Sequence, residues 1–158
     1  MDTQKALALM AALCSKKEYC RSDIRQKLKK LEVPPEESDR IIDQLVQKRF
    51  IDENRFASFY ARDKFRFNKW GKLKIIQQLK QKNIPSALIE EAVKNLPDED
   101  YCNICKKLLE QKQKTIKETD PRKRKAKLLR FALGRGFDFG TINACFPEIT
   151  NTEEETYS

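Results

Sequence analysis

The 158-residue chain carries a formal net charge of +9, and 36% of its residues are charged, against roughly a quarter in an average globular protein. It has no histidine and four glycines. Serine–histidine–aspartate catalysis, cysteine–histidine catalysis and histidine-ligated metal sites are therefore excluded, and neither a P-loop nor a dinucleotide glycine fingerprint is present. Abundant Lys, Glu, Gln, Leu and Ala favour an all-α fold. The positive charge favours a polyanionic partner, such as nucleic acid, an acidic protein groove or a membrane surface. A purely solubilising role is the plain alternative.

The elements follow in chain order. Ala6, Met10, Leu13 and Cys14 share one face of a first helix. The apolar stretch 6–14 could mimic a signal-peptide core, but Asp2 and a lone Lys5 make a poor basic flank, so a buried helix is predicted. No run is long enough to span a membrane. Ser22 is the expected cap of a second helix, with Ile24, Leu28 and Leu31 at helical spacing. Pro34-Pro35 stops it, and Pro35 opens a third helix with Glu36 and Glu37 in its first turn, where the helix dipole favours anions. Ile41, Ile42, Leu45 and Val46 form the apolar stripe of that helix.

Asp52 is the expected cap of a fourth helix, and Ile51 with Phe56 has the spacing of a hydrophobic staple. Phe56, Phe59 and Tyr60 continue the predicted apolar face until Trp70-Gly71 breaks the helix. Ile75, Ile76 and Leu79 belong to the next helix. Pro85 opens a short one carrying Ile89, Ala92, Val93 and Leu96. After Pro97-Asp98 comes a lysine-rich helix with Cys105, Leu108 and Leu109 on its apolar side. Asp120-Pro121 opens another, ended by Gly134 and Gly136. Asp138 caps a last helix before Pro147, and the polar, acidic segment from Thr150 is read as a disordered tail.

A repeat organises these helices. With Leu28, Leu79 and Ala132 in register, Ile24 aligns with Ile75 and Leu128, and Val33 with Ile84 and Phe137. The next helix aligns Ile42 with Val93 and Phe146, and Leu45 with Leu96 and Ile149, without a gap. Three short helices cannot bury a core alone, so stacked units must cover each other's apolar faces. The expected units are 1–50, 51–97 and 98–149, followed by the tail 150–158.

Five cysteines (Cys14, Cys20, Cys102, Cys105, Cys145) make an odd count without repeated spacing. No disulfide framework is predicted, and the Cys102-x-x-Cys105 pair has no second pair to complete a metal site. They are read as small buried hydrophobes in a reducing cytoplasm. No metal and no cofactor is expected.

Charge is the chemistry that remains. From Arg62 to Lys82 there are eight basic residues and one acid, Asp63; from Lys106 to Arg135 there are twelve and three. Arg62, Arg66, Lys69, Lys72 and Lys74 crowd one interhelical break beside Trp70. Such cations pair with phosphates, and aromatics stack on bases. Phe67 is read as core, and Trp70 stays open between core and surface. Arg122, Lys123, Arg124, Lys125 and Lys127 open a helix N-terminus, where positive charge opposes the dipole; this favours a binding role, with a long solvated arm as the open alternative. The acid pairs Glu36/Glu37 and Glu90/Glu91 are explained by dipole and solvation roles.

The segment Ile51-Asp52-Glu53-Asn54-Arg55-Phe56-Ala57, followed by Trp70-Gly71-Lys72-Leu73-Lys74-Ile75 and Leu79, resembles the central signature of the RecX family. Its closing turn is Lys82-Asn83-Ile84, with asparagine in place of the usual glycine; asparagine tolerates the left-handed helix cap. The match is densest over residues 45–96 and co-linear over the flanking repeats. The resemblance implies three tandem helix-turn-helix-like units in an elongated, curved array. It implies a monomeric, cytoplasmic, non-enzymatic inhibitor or modulator of the RecA recombinase that lies in the groove of the RecA–DNA filament. It also implies weak, sequence-independent affinity for single- and double-stranded DNA and no membrane partner. Two other readings stay open: a nucleic-acid-binding module acting on DNA directly, and a helical adaptor without a nucleic-acid role.

Overall fold

A computed structural model describes residues 2–150. Among these residues there are nine α-helices, one 3-10 turn and no strand. The first triplet is α1 (Thr3–Lys16), α2 (Arg21–Lys30) and α3 (Pro35–Gln47); the second is α4 (Glu53–Phe67), α5 (Lys72–Gln81) and α6 (Ser86–Lys94). The third is α7 (Asp98–Thr115), α8 (Pro121–Gly134) and α9 (Phe139–Cys145), followed by the turn Pro147–Ile149. The acidic segment 151–158 lies outside the described residues.

Local chemistry accounts for most helix ends. Asp2, Asp52, Asp120 and Asp138 each accept a hydrogen bond from a first-turn amide of the helix that follows. At α2 the cap is Cys20 rather than the expected Ser22. The Asp23 carboxylate reaches back to the Cys20 amide at 3.2 Å, so the helix starts one residue before the serine.

Every apolar position placed in register across the triplets is buried. The helix ends repeat as well. Glu32, Asn83 and Gly136 occupy equivalent positions, with φ of 61°, 61° and 98°. In each case the following amide (Val33, Ile84, Phe137) donates back to the carbonyl of Leu28, Leu79 or Ala132 at 3.0–3.2 Å. This is the Schellman closure, which needs one left-handed residue. Asn83 therefore fills the role that its sequence position suggested.

The described residues divide into two compact units, 2–60 with 78–92, and 61–77 with 93–150. The second triplet thus contributes to both. In the first unit α3 packs on α1 and α2, around Ala6, Met10, Ile24, Leu28, Ile42 and Leu45. Asp23 also joins Lys82 there at 2.7 Å. Burial alone would raise the Asp23 carboxyl, but the Lys82 ammonium and the Cys20 amide outweigh it and hold the pKa below the ordinary value. Burial alone would lower Lys82, and the Asp23 hydrogen bond and charge outweigh it, so its pKa is raised. The contribution of Asp23 is fully present above its unfolded pKa of about 3.9 and is lost as pH falls through the lower folded value. That of Lys82 is fully present below about 10.4 and is lost as pH rises through the higher folded value. Asp23→Ala should cost about 1.5–3 kcal/mol at pH 7, the range for hydrogen bonds to charged groups. In urea melts the cost should shrink at pH 3. An equal cost at both pH values would show that the pair does not stabilise the unit.

In the second unit α7 packs on α8 and α9. Three expectations are corrected there and on α4. Cys102 and Cys145 form a disulfide with their Cα atoms 5.6 Å apart, whereas Cys14, Cys20 and Cys105 are free and buried as expected. Packing of α7 on α9 brings the pair together across 43 residues, a proximity that spacing does not reveal. Phe67 is 79% exposed instead of lying in the core. Phe59 is half exposed instead of continuing the buried face of Phe56, because α4 turns its Phe56, Ala57, Ala61 and Phe65 side inward.

Candidate nucleic-acid interface

The break between α4 and α5 sits in the second unit and is held by backbone contacts. Lys69 takes a left-handed φ of 56°, and the Trp70 amide donates to the Lys64 carbonyl at 3.2 Å, closing α4. The Gly71 amide donates to the Arg135 carbonyl at 2.7 Å, and the Leu73 amide to the Gly136 carbonyl at 3.0 Å. The first turn of α5 is thereby fixed to the turn after α8. The Lys72 amide donates to the Tyr101 hydroxyl oxygen at 2.9 Å. Tyr101 is buried, with ring centroids 5.7 Å from Phe65 and 5.2 Å from Phe137. Burial pushes its hydroxyl up to about 12, against the pull of the Lys72 amide.

On this scaffold the expected basic residues separate into two kinds. Arg62 and Arg66, one turn apart on α4, are exposed, and Lys69 is half-buried. Trp70 is half-buried, with the Lys74 ammonium 4.7 Å and the Lys64 ammonium 5.4 Å from its ring centroid. Its face is already occupied by cations. Lys72 lies 4.7 Å over the Tyr101 ring and 3.6 Å from Asp98. Its ammonium therefore also serves the junction of α5 with α7.

The third-triplet cluster divides in the same way. Arg122 and Lys123 are exposed at the start of α8, and Lys125 is half-buried. The Arg124 guanidinium turns back onto the end of α7 and the loop after it, and donates to the carbonyls of Gln113, Ile116 and Glu118 at 2.9–3.0 Å. Lys127 approaches Glu118 at 3.8 Å. Arg124 and Lys127 thus offset, through local partners, the unfavourable charge at the helix start.

The residues that the charge pattern passed over are apolar: Phe67 at 79% and Leu73 at 54% exposed, in the midst of the first cluster. Hydrophobicity assigned Phe67 to the core. The signal against that reading was Phe65 two residues earlier, since one helix face cannot bury both.

Fold and site together define a basic, all-helical protein assembled from three-helix units. The profile of the RecX second three-helix domain matches residues 52–93, and that of the RecX third three-helix domain matches residues 98–146. The chain is 33% identical over 151 residues to the regulatory protein RecX of Acinetobacter baylyi, covering 96% of this chain and 90% of that protein. It is 29% identical over 148 residues to regulatory protein RecX of Prosthecochloris aestuarii, covering 94% and 95%. Against regulatory protein RecX of Clostridium acetobutylicum it is 33% identical over 131 residues, 80% of this chain and 60% of that longer protein. A crystal structure of regulatory protein RecX superposes with a TM-score of 0.82 at 26% identity, over 90% of this chain and 70% of the other. RecX from Lactobacillus salivarius shares the fold, with a TM-score of 0.78 at 20% identity over 94% and 96%. This chain belongs to the RecX family.

Proposed function

We propose that this protein is a non-enzymatic regulator of the RecA recombinase. It binds the groove of the RecA–DNA filament and limits strand exchange and the filament's ATPase. It acts as a cytoplasmic monomer, with the repeats 1–50, 51–97 and 98–149 as its working units. The observation that carries this reading is similarity across nearly the whole chain to relatives named regulatory protein RecX; RecA as the partner follows from the family resemblance. The exposed cations of α4 and α8 fit a filament coated with phosphate and acidic side chains. DNA affinity of the protein alone is weak and independent of sequence, because phosphate contacts carry no sequence information.

A few molecules lodged in a groove disturb a whole polymer, so inhibition should appear well below one copy per RecA subunit. The test is titration of the purified protein into a RecA strand-exchange assay. The expected result is a progressive loss of exchange at substoichiometric amounts. No change at an equimolar ratio would overturn the reading and promote the module that acts on DNA directly.

A further inference from the structure

We infer that Phe67 is a base-stacking residue, and that the α4–α5 break is built to hold unpaired DNA rather than duplex. The inference rests on the proposed contact with filament DNA and names the residue and the form of nucleic acid. Phe67 lies at the last position of α4 and is 79% exposed. Phe65, two positions earlier, is 2% exposed and already supplies that turn's contribution to the core. An aromatic ring left in water forgoes burial worth about 1.5–3 kcal/mol, so its position requires a partner or a tolerated cost.

The surroundings identify the partner. Residues 62–74 carry Arg62, Lys64, Arg66, Lys69, Lys72 and Lys74 against the single acid Asp63. An apolar protein surface would have to desolvate these cations, whereas nucleic acid offers phosphates to them and flat π-faces to the ring. Arg62 and Arg66 share one side of α4, and Asp63 and Phe67 share the adjoining side. Phosphates then follow the arginine side, and the carboxylate faces the uncharged base. Trp70, the other candidate for stacking, is flanked by Lys64 and Lys74, which leaves Phe67 as the open ring. In duplex DNA the base faces are already stacked on each other and must be pulled apart at a cost, so an unpaired strand is the fitting ligand.

Binding of the full chain to a labelled thymidine oligonucleotide and to a hairpin duplex of equal length tests this, with melting temperature checked for each variant. Phe67→Ala should weaken binding to the oligonucleotide about 5- to 150-fold, the range for loss of one stacked base. Duplex binding should stay within about twofold, and the salt slope should not change, because no phosphate contact is removed. Phe67→Trp should restore the affinity, and its emission should be quenched by the oligonucleotide beyond that of wild type, whose Trp70 is the sole tryptophan. Equal binding of the oligonucleotide by wild type and Phe67→Ala, or equal losses on both ligands, would overturn the inference. Loss of RecA-filament binding with oligonucleotide binding intact would place Phe67 on protein and overturn it too. Oligonucleotide binding that depends on Phe67 in a protein without effect on strand exchange would instead refute the regulatory reading and leave this one standing.

Discussion

Gly71→Ala is expected to lower the free energy of unfolding by about 3–5 kcal/mol and to loosen the basic site with it. Overpacking a filled position costs about 1–3 kcal/mol, and each backbone hydrogen bond lost with it adds about 1 kcal/mol. A Cβ on Gly71 would fall 2.3 Å from the carbonyl carbon and oxygen of Gly136 and 2.4 Å from the amide nitrogen of Phe137. All three are backbone atoms, so no side chain can swing away. Relief requires the α5 start to leave the turn after α8, which breaks the bonds from Gly71 to Arg135 and from Leu73 to Gly136. Gly136 cannot yield easily: at φ 98° it occupies a conformation that side chains disfavour, and a Cβ there would meet Lys74 at 2.5 Å. Gly134, at the exposed end of α8, has no atom within 4 Å of its own virtual Cβ. Gly134→Ala should therefore be neutral or slightly stabilising, since alanine is the better helix former. Urea denaturation of the three proteins decides this. Gly71→Ala within about 1 kcal/mol of wild type would mean that the two turns are not in contact in solution.

The second large effect concerns charge. Replacing Arg62, Arg66 and Lys74 together by Gln should reduce the salt slope of single-stranded DNA binding by about two, at roughly 0.7 per phosphate contact. Between 50 and 200 mM salt the wild-type affinity should then fall about 20-fold more than that of the variant. These three are chosen because each can lose its charge without loss of a backbone tie. Lys72 is engaged with Asp98 and Tyr101, and Lys69 holds the left-handed end of α4, where a changed residue confounds binding with folding. Glutamine keeps the Cβ of Lys74 beside Gly136 and gives up only the ammonium over the Trp70 ring. Arg62 and Arg66 are exposed, where substitutions usually cost less than about 0.5 kcal/mol each, and loss of the Lys74 ammonium from the Trp70 ring adds about 0.5–1 kcal/mol, so the variant should stay folded with a modestly lower melting temperature. A folded variant with wild-type affinity and slope would show that the working surface lies elsewhere, with Arg122 and Lys123 of α8 the next exposed cations to change.

The helices, their caps and the repeat were legible because each rests on interactions within a few residues of the chain. Asp52, Asp120 and Asp138 cap the helix that follows wherever that helix packs, and a Schellman end needs only its own last turn. The buried register of Leu28, Leu79 and Ala132 was equally open to reading, because helical periodicity decides which side chains share a face. At Ser22 the local rule failed: Asp23 and Cys20 form a competing closure that moves the cap two residues earlier.

The partners of the site residues were not legible, since they arrive from elsewhere in the chain. Charge pattern treats Lys72, Arg124 and Arg66 alike. Only the approach of Tyr101 and Asp98, and of the carbonyls of Gln113, Ile116 and Glu118 at the end of α7 and in the loop after it, separates the first two from the exposed third. The same holds for Cys102 with Cys145, joined by the packing of α7 on α9. Phe65 and Phe67 are identical in hydrophobicity, yet Tyr101 and Phe137 build their cluster on one side of α4 and leave the other open. Local chemistry makes the helices of this protein. Which of its cations and rings remain available to a ligand is decided by long-range packing, whose contacts carry no fixed spacing along the chain.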